Sequence, residues 1–264
     1  LACGGDGAIE RVPGQAAWRC VNKNSDAQLR RKLYHFASKK AFDMDGLGPK
    51  IIDVLLDNGL ISNFPDIFTL ERGDLLSLPR FAEKSVDNLF VSVNKAKSVS
   101  LARLLVSLSI PQVGEETAYD LAKHFGTLSK IREAKFEELE ALNGVGPIVA
   151  KSVVDFFADK ENNKLLDDLL SHIKIEKENQ SENTAFKNEK IFGKTFVFTG
   201  TMSKLSRDKA KEIVRSLGGK VSSSVSKETD FVVVGEEAGS KLANAEKLGV
   251  AVISEEEFLK IIAP

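Results

Sequence analysis

Two short stretches, Gly46-Leu47-Gly48-Pro49 and Gly144-Val145-Gly146-Pro147, carry the residue types best suited to chemistry in this 264-residue chain. Each sets an apolar residue between two glycines, with a proline behind. The glycines permit a positive φ and leave the backbone bare of Cβ. The apolar residue can turn into a core and hold the bend. Proline suits the first position of a following helix, where its missing N–H is not needed. Such an elbow would expose main-chain N–H groups at a helix N-terminus carrying about half a positive charge from the helix dipole. That is an anion site that needs few basic side chains.

The elbow recurs. Leu47, Phe81, Val113 and Val145 lie 34, 32 and 32 residues apart. Five residues after each come Ile52, Val86, Ala118 and Ala150; eight after, Leu55, Leu89, Leu121 and Val153; nine after, Leu56, Phe90, Ala122 and Val154. Offsets of five, eight and nine share one face of a helix. Four copies of one turn-then-helix unit are therefore expected. A single Gly-x-Gly elbow is as readily a joint between packed helices. Four in tandem suit the regularly spaced phosphates of a nucleic-acid backbone.

The copies are unequal. The second has Arg80 and Ala82 where the first has glycines, and the third keeps only Gly114. A Cβ at Ala82 should hinder close approach of a phosphate, so the first and fourth copies rank as the best contacts and the second as structural. Lys50 and Lys84 follow the first and second elbows, where each could pair with a phosphate. The candidate contacts are thus Gly46, Gly48, Lys50, Lys84, Gly114, Gly144 and Gly146.

The elements that must position these residues fall into blocks. Residues 1–33 hold Gly4, Gly5, Gly7 and Gly14 around Cys3, then Trp18-Arg19-Cys20. From about Leu29 to Ile173 the pattern is helical, broken by Gly/Pro elbows, and residues 34–174 are assigned to the tandem hairpin domain. Residues 175–189 have little to bury and read as a flexible linker. From 190 to 264 short β-branched runs alternate with helical stretches, which predicts a four-stranded parallel sheet with crossover helices. The fold class is multidomain: an all-α array behind a cysteine-containing segment, then a small α/β unit.

Composition bounds the rest. The formal net charge is -1, so a histone-like basic binder is excluded while a local phosphate site is not. No apolar run approaches the ~20 residues of a bilayer span, so a soluble, intracellular chain is expected and no membrane partner. Two cysteines are too few for a disulfide framework. The chain starts at Leu1 and reads as a piece of something longer. No heptad pattern suggests a dimer seam, so a monomer is expected.

Several stretches carry a family resemblance: Ala16-Ala-Trp-Arg-Cys20, Ala27-Gln-Leu29, His35-Phe-Ala-Ser38, Met44-Asp-Gly-Leu-Gly48, Phe81-Ala-Glu-Lys-Ser85, Leu101-Ala-Arg-Leu-Leu105 and Lys123-His-Phe-Gly126. Gly-hydrophobic-Gly between helices resembles the helix-hairpin-helix motif, which grips DNA backbone independently of sequence. Phe196-Val-Phe-Thr-Gly200, Leu217-Gly-Gly219 and Thr229-Asp-Phe-Val-Val-Val-Gly235 resemble a BRCT domain. In this order, behind a cysteine segment, they resemble the C-terminal part of the bacterial NAD-dependent DNA ligases. The resemblance implies a partner, double-stranded nicked DNA, and a cytoplasmic, nucleoid-associated setting. It implies a non-catalytic role here in DNA replication and repair, with NAD and a divalent metal ion serving the parent enzyme and no cofactor in this part. The adenylation domain of that family is not among these residues, so the chain alone should be inactive. A non-enzymatic repair scaffold is the alternative.

The resemblance also implies two lesser sites. The family's four-cysteine zinc finger would place ligands at Cys3 and Cys20, one before Leu1, and one at Ser25, a poor zinc ligand; the expectation is a metal-free remnant. In phosphate-binding BRCT domains a Ser/Thr-Gly and a Lys clamp an anion, which maps onto Thr199, Gly200 and Lys241, for a phosphate or a protein partner. Other chemistries find no motif: there is no P-loop, no His-Glu-x-x-His and no nucleophile elbow. Trp18 reads as packing. His124 reads as a hydrogen-bonded core histidine, and His35 and His172 have no evident carboxylate partner.

Overall fold

The computed structural model describes residues 9–11, 18–20, 25–78, 81–142, 144–176, 188 and 190–262. The chain divides into two compact units, Leu1–Glu178 and Asn179–Pro264.

The first unit opens with a short antiparallel ladder, β1 (Ile9–Arg11) and β2 (Trp18–Cys20). Helices then follow: α1 (Asp26–Ala37), α2 (Pro49–Asp57), a 3-10 turn (Pro65–Phe68), α3 (Arg72–Leu76) and α4 (Glu83–Ala96). After β3 (Ser98–Ser100) come α5 (Leu101–Ser107), α6 (Glu115–Phe125), α7 (Leu128–Glu133), α8 (Phe136–Glu140), α9 (Pro147–Ala158) and α10 (Lys160–His172), and finally β4 (Lys174–Glu176). Four helix pairs result: α1–α2, α3–α4, α5–α6 and α8–α9. The residues five and eight places after each repeat anchor are buried in all four, from Ile52 and Leu55 to Ala150 and Val153. One hydrophobic core runs through the unit. Within it Phe36 stacks on Phe42 (4.3 Å) and Phe64 (4.8 Å), with Phe68 edge-on at 6.3 Å, a geometry aromatic rings favour.

Three sequence expectations change here. The boundary between residues 33 and 34 falls inside α1, because Leu33 and Phe36 are both fully buried in the helical core. The helical pattern read from about Leu29 belongs to this helix, which begins three residues earlier, at Asp26. The linker begins later than residue 175: Ile175 packs on the core and pairs with Val99 in the parallel β3–β4 ladder. Residues 177–187 and 189 lie outside the described residues. His124 is exposed, its ring edge-on to Phe125 at 4.8 Å.

The second unit has the predicted order: β5 (Thr195–Thr199), α11 (Arg207–Ser216), β6 (Lys220–Ser222), β7 (Phe231–Val234), α12 (Ser240–Leu248), β8 (Ala251–Ser254) and α13 (Glu255–Ile262). Its four strands are all parallel, in the order β6-β5-β7-β8. Phe196, Phe198, Val214 and Phe258 fill one side of the sheet, and Val197, Val232 and Ala245 the other. Gly218 (φ +80) ends α11: its N–H donates to Arg215 O and that of Gly219 to Val214 O. This is a Schellman closure, and a Cβ on Gly219 would lie 2.6 Å from Val214.

Candidate nucleic-acid interface

All four elbows share one backbone plan. The anchor N–H donates to the carbonyl three residues back: Leu47 to Met44, Phe81 to Leu78, Val113 to Ile110, Val145 to Leu142. One residue after the anchor, Gly48, Ala82, Gly114 and Gly146 are the N-caps of α2, α4, α6 and α9, in ordinary extended backbone. Among the described turn residues of the first, third and fourth elbows, only the one before the anchor takes positive φ: Gly46 (+86), Gln112 (+65) and Gly144 (+85). A positive φ at the third turn position is the signature of a type II turn. Hence just one glycine of each pair is demanded by backbone conformation.

The second glycine has a different explanation. Gly48, Gly114 and Gly146 are exposed, and a Cβ on any of them would meet nothing within 4 Å. Neither conformation nor packing among the described residues requires glycine there. Gly46 and Gly144 are exposed too, as are Lys50 and Lys84.

Capping separates these helices from most others. Ser25, Ser100, Thr127, Asp159 and Ser206 accept from backbone N–H groups of α1, α5, α7, α10 and α11. Asp74 and Glu138 reach back to the N-cap N–H of α3 and α8, and Ser254 accepts from Glu257 N of α13. No side chain caps α2, α4, α6 or α9. A helix leaves its first four N–H groups without intrahelical partners, so these four N-termini face outward without a side-chain acceptor.

The elbows also form two kinds. At the first and fourth, proline opens the helix and the first turn carries no acid. At the second and third, the sequence places Pro79 and Pro111 within the turn, and the helices begin with Glu83 and with Glu115 and Glu116. Acids complement the N-terminal dipole from within the chain and repel a phosphate. Glu115 is further engaged by Lys40 at 2.6 Å.

The loop leading to the first elbow is held from two sides. Arg103, in α5, donates to Ala41 O and Lys39 O, both at 2.7 Å. Arg30, in α1, pairs with Asp26 (2.7 Å), Asp53 (2.8 Å) and Asp57 (2.6 Å), joining α1 to α2. Asp53 also accepts from Tyr34 Oη; that bond first, then Arg30, holds its carboxyl below the usual carboxylate range. His35 Nε2 lies 2.9 Å from Val106 O, and His172 Nε2 lies 3.8 Å from Asp168.

At the cysteine segment, Cys3 and the side chains of Trp18 and Cys20 lie outside the described residues. Ser25 is buried and accepts from Gln28 N at 3.2 Å, so this position caps α1. Among the described residues no group of three or more His, Cys, Asp or Glu side chains is arranged to hold a metal ion.

In the second unit Thr199 is buried at the end of β5, and Lys241 Nζ lies 3.5 Å from Phe198 O. Gly200 (φ +78) has a packing reason, since a Cβ would lie 2.6 Å from Glu236 O and 2.7 Å from Gly235 O. In the same unit, the buried Glu255 carboxylate accepts from the N–H groups of Ser203, Lys204 and Leu205 and from Ser203 Oγ, all within 3.0 Å. Burial alone would push this carboxyl up, but the hydrogen bonds outweigh it and hold it below the usual range.

No helix among the described residues is long and apolar enough to cross a membrane. Residues 39–95 match the SAM-like helix-hairpin-helix tandem, residues 103–166 the helix-hairpin-helix motif, and residues 187–262 the BRCA1 C-terminus (BRCT) domain. A DNA ligase of Carboxydothermus hydrogenoformans is 44% identical over 256 residues, which cover 97% of this chain and 38% of that protein. The chain is therefore similar, in its helix-hairpin-helix and BRCT domains and over 97% of its length, to the C-terminal portion of a bacterial DNA ligase, and spans about two fifths of that protein's length.

Proposed function

We propose that this chain grips the phosphodiester backbone of duplex DNA around a nick, as part of a longer NAD-dependent ligase that joins a 3′-hydroxyl to a 5′-phosphate. The uncapped, glycine-opened helix N-termini at the elbows support this reading most directly. Gly48 and Gly146, beside acid-free first turns, take the closest phosphates. Gly46 and Gly144 set the turns, and Lys50 adds an ion pair. Gly114 and Lys84 contribute less, because carboxylates stand next to them. The role is positioning. NAD and a divalent metal ion act on parts of the parent protein beyond these residues, and the described residues supply no ligand set for zinc.

The test is salt dependence of affinity for a nicked duplex, measured by fluorescence anisotropy. Affinity should fall by at least tenfold between ~50 and ~200 mM salt, as counterion release at several phosphates requires. A flat response would exclude backbone gripping.

A second anion site is supported at α12. Its N-cap Gly239 has no side-chain cap, and a Cβ there meets nothing within 4 Å. Lys241 on its first turn leans toward the end of β5, where Thr199 and Gly200 follow. Lys241→Glu should abolish binding of a phosphorylated ligand, DNA 5′-phosphate or phosphoprotein, to the BRCT unit. Unchanged affinity for both would leave the pocket without a role.

A further inference from the structure

The residue three places after the anchor differs among the four copies: Lys50, Lys84, Glu116 and Ile148. Ile148 is 71% exposed. A lone exposed apolar side chain is ordinary on a protein surface. This one stands where the repeat elsewhere places an ion, on the first turn of α9, beside the open Gly146. Side chains on a helix tilt toward its N-terminus, so Ile148 leans toward the space in front of the elbow. No charged residue lies on that first turn. Ser152 Oγ donates to the Ile148 carbonyl at 2.9 Å and leaves its side chain uncovered.

We propose that Ile148 makes an apolar contact with the deoxyribose edge of the strand whose phosphate docks at the fourth elbow. The inference rests on the reading of the elbows given above. A phosphate held by the amides of the α9 N-terminus brings its own sugars alongside the first turn. Sugar C–H groups are the apolar surface there, and an isoleucine excludes water from them where a lysine would seek the phosphate oxygen. The first and fourth elbows thus grip by different means. The first adds an ion pair through Lys50, and the fourth adds a contact that salt does not screen.

The experiment compares the chain with Ile148→Ala and Ile148→Lys on a nicked duplex, across a salt series. Ile148 is exposed, so the fold should persist, with the thermal midpoint as control. Ile148→Ala should weaken binding by on the order of tenfold at every salt concentration, with the slope of log affinity against log salt unchanged. Ile148→Lys should steepen that slope by about 0.9 and bind more weakly than the parent at high salt. Unchanged affinity in Ile148→Ala would overturn the proposal, as would Ile148→Lys binding more tightly at all salt concentrations. Gly48→Val run in parallel separates the two readings: if it too leaves affinity intact, the elbows themselves are not the DNA site.

Discussion

The first and fourth elbows and the second and third close on the same anchor hydrogen bond with different chemistry. The outer two use glycine for the positive φ (Gly46, Gly144), keep a bare N-cap and start the helix with proline. In the inner two the sequence has proline inside the turn; the third accepts Gln112 at φ +65, and both begin their helices with glutamate. One plan leaves the helix N-terminus for an anion from outside. The other sets the chain's own carboxylates beside it, where they complement the helix dipole and repel a phosphate. The lesson is that the elbow's shape and its affinity for phosphate are separable: the third copy keeps the positive-φ turn of the first and fourth, and only those two are equipped for phosphate.

The BRCT unit gives an internal standard for what an amide cluster does with an anion. Three N–H groups and one hydroxyl converge on Glu255. Replacing it, Glu255→Gln, should destabilise that unit by about 2–3 kcal/mol, the range for hydrogen bonds to a charged group, as read by chemical denaturation. Its folded carboxyl titrates below the unfolded one. The stabilisation is therefore present above the ordinary glutamate range and lost as pH falls through the lowered value. The acid sensitivity of the unit's unfolding midpoint should shrink in the variant. An unchanged acid limb would mean that amide clusters here hold anions weakly, and the elbows with them.

A charge reversal at an open elbow should come next. Lys50→Glu puts an acid where the third copy carries Glu116. DNA affinity should drop by about tenfold or more at low salt, and the salt slope should fall by about 1. The turn itself can be probed without DNA. Gly144→Ala should cost about 1–2 kcal/mol of thermal stability, the penalty for a Cβ in left-handed backbone. Gln112→Gly should stay within about 0.5 kcal/mol, because relief of that strain is offset by a more flexible unfolded chain. Equal costs would mean that the two turn designs are not equivalent in shape. The smallest effect is expected from Glu115→Gln with Glu116→Gln, which clears the third elbow. Affinity should rise about two- to threefold at low salt and vanish into the baseline at high salt.

The elbows, the four-copy repeat and the succession of strands and helices along the BRCT unit were legible because each depends on local signals: Gly pairs, an i, i+3, i+4 face, and β-branched runs cut by turns. The β3–β4 ladder was not. Its strands are three residues each and join Ser98–Ser100 to Lys174–Glu176, a pairing that no local pattern encodes. The start of α1 lies three residues before the helical pattern that begins near Leu29, although Ser25, Leu29, Leu33 and Phe36 have the spacing of a cap and a buried stripe. Ser25 was read against a missing zinc ligand, and its capping role followed only from Gln28. His124 looked buried because its helix neighbours are, yet it falls on the solvent side. At the site itself, the glycines were found but their division of labour was not. Sequence alone cannot say which glycine needs positive φ and which merely leaves room. Ile148 could have been found by extending the repeat alignment to the third position after the anchor.

The most direct test places the same side chain at all four N-caps. Gly48→Val, Ala82→Val, Gly114→Val and Gly146→Val would each be measured for nicked-duplex affinity at one salt concentration, with thermal midpoints as fold controls. Open amides at the outer elbows predict losses of on the order of tenfold or more at 48 and 146, a smaller loss at 114 and almost none at 82. Equal losses at all four positions, or none at any, would contradict the division between gripping and structural elbows.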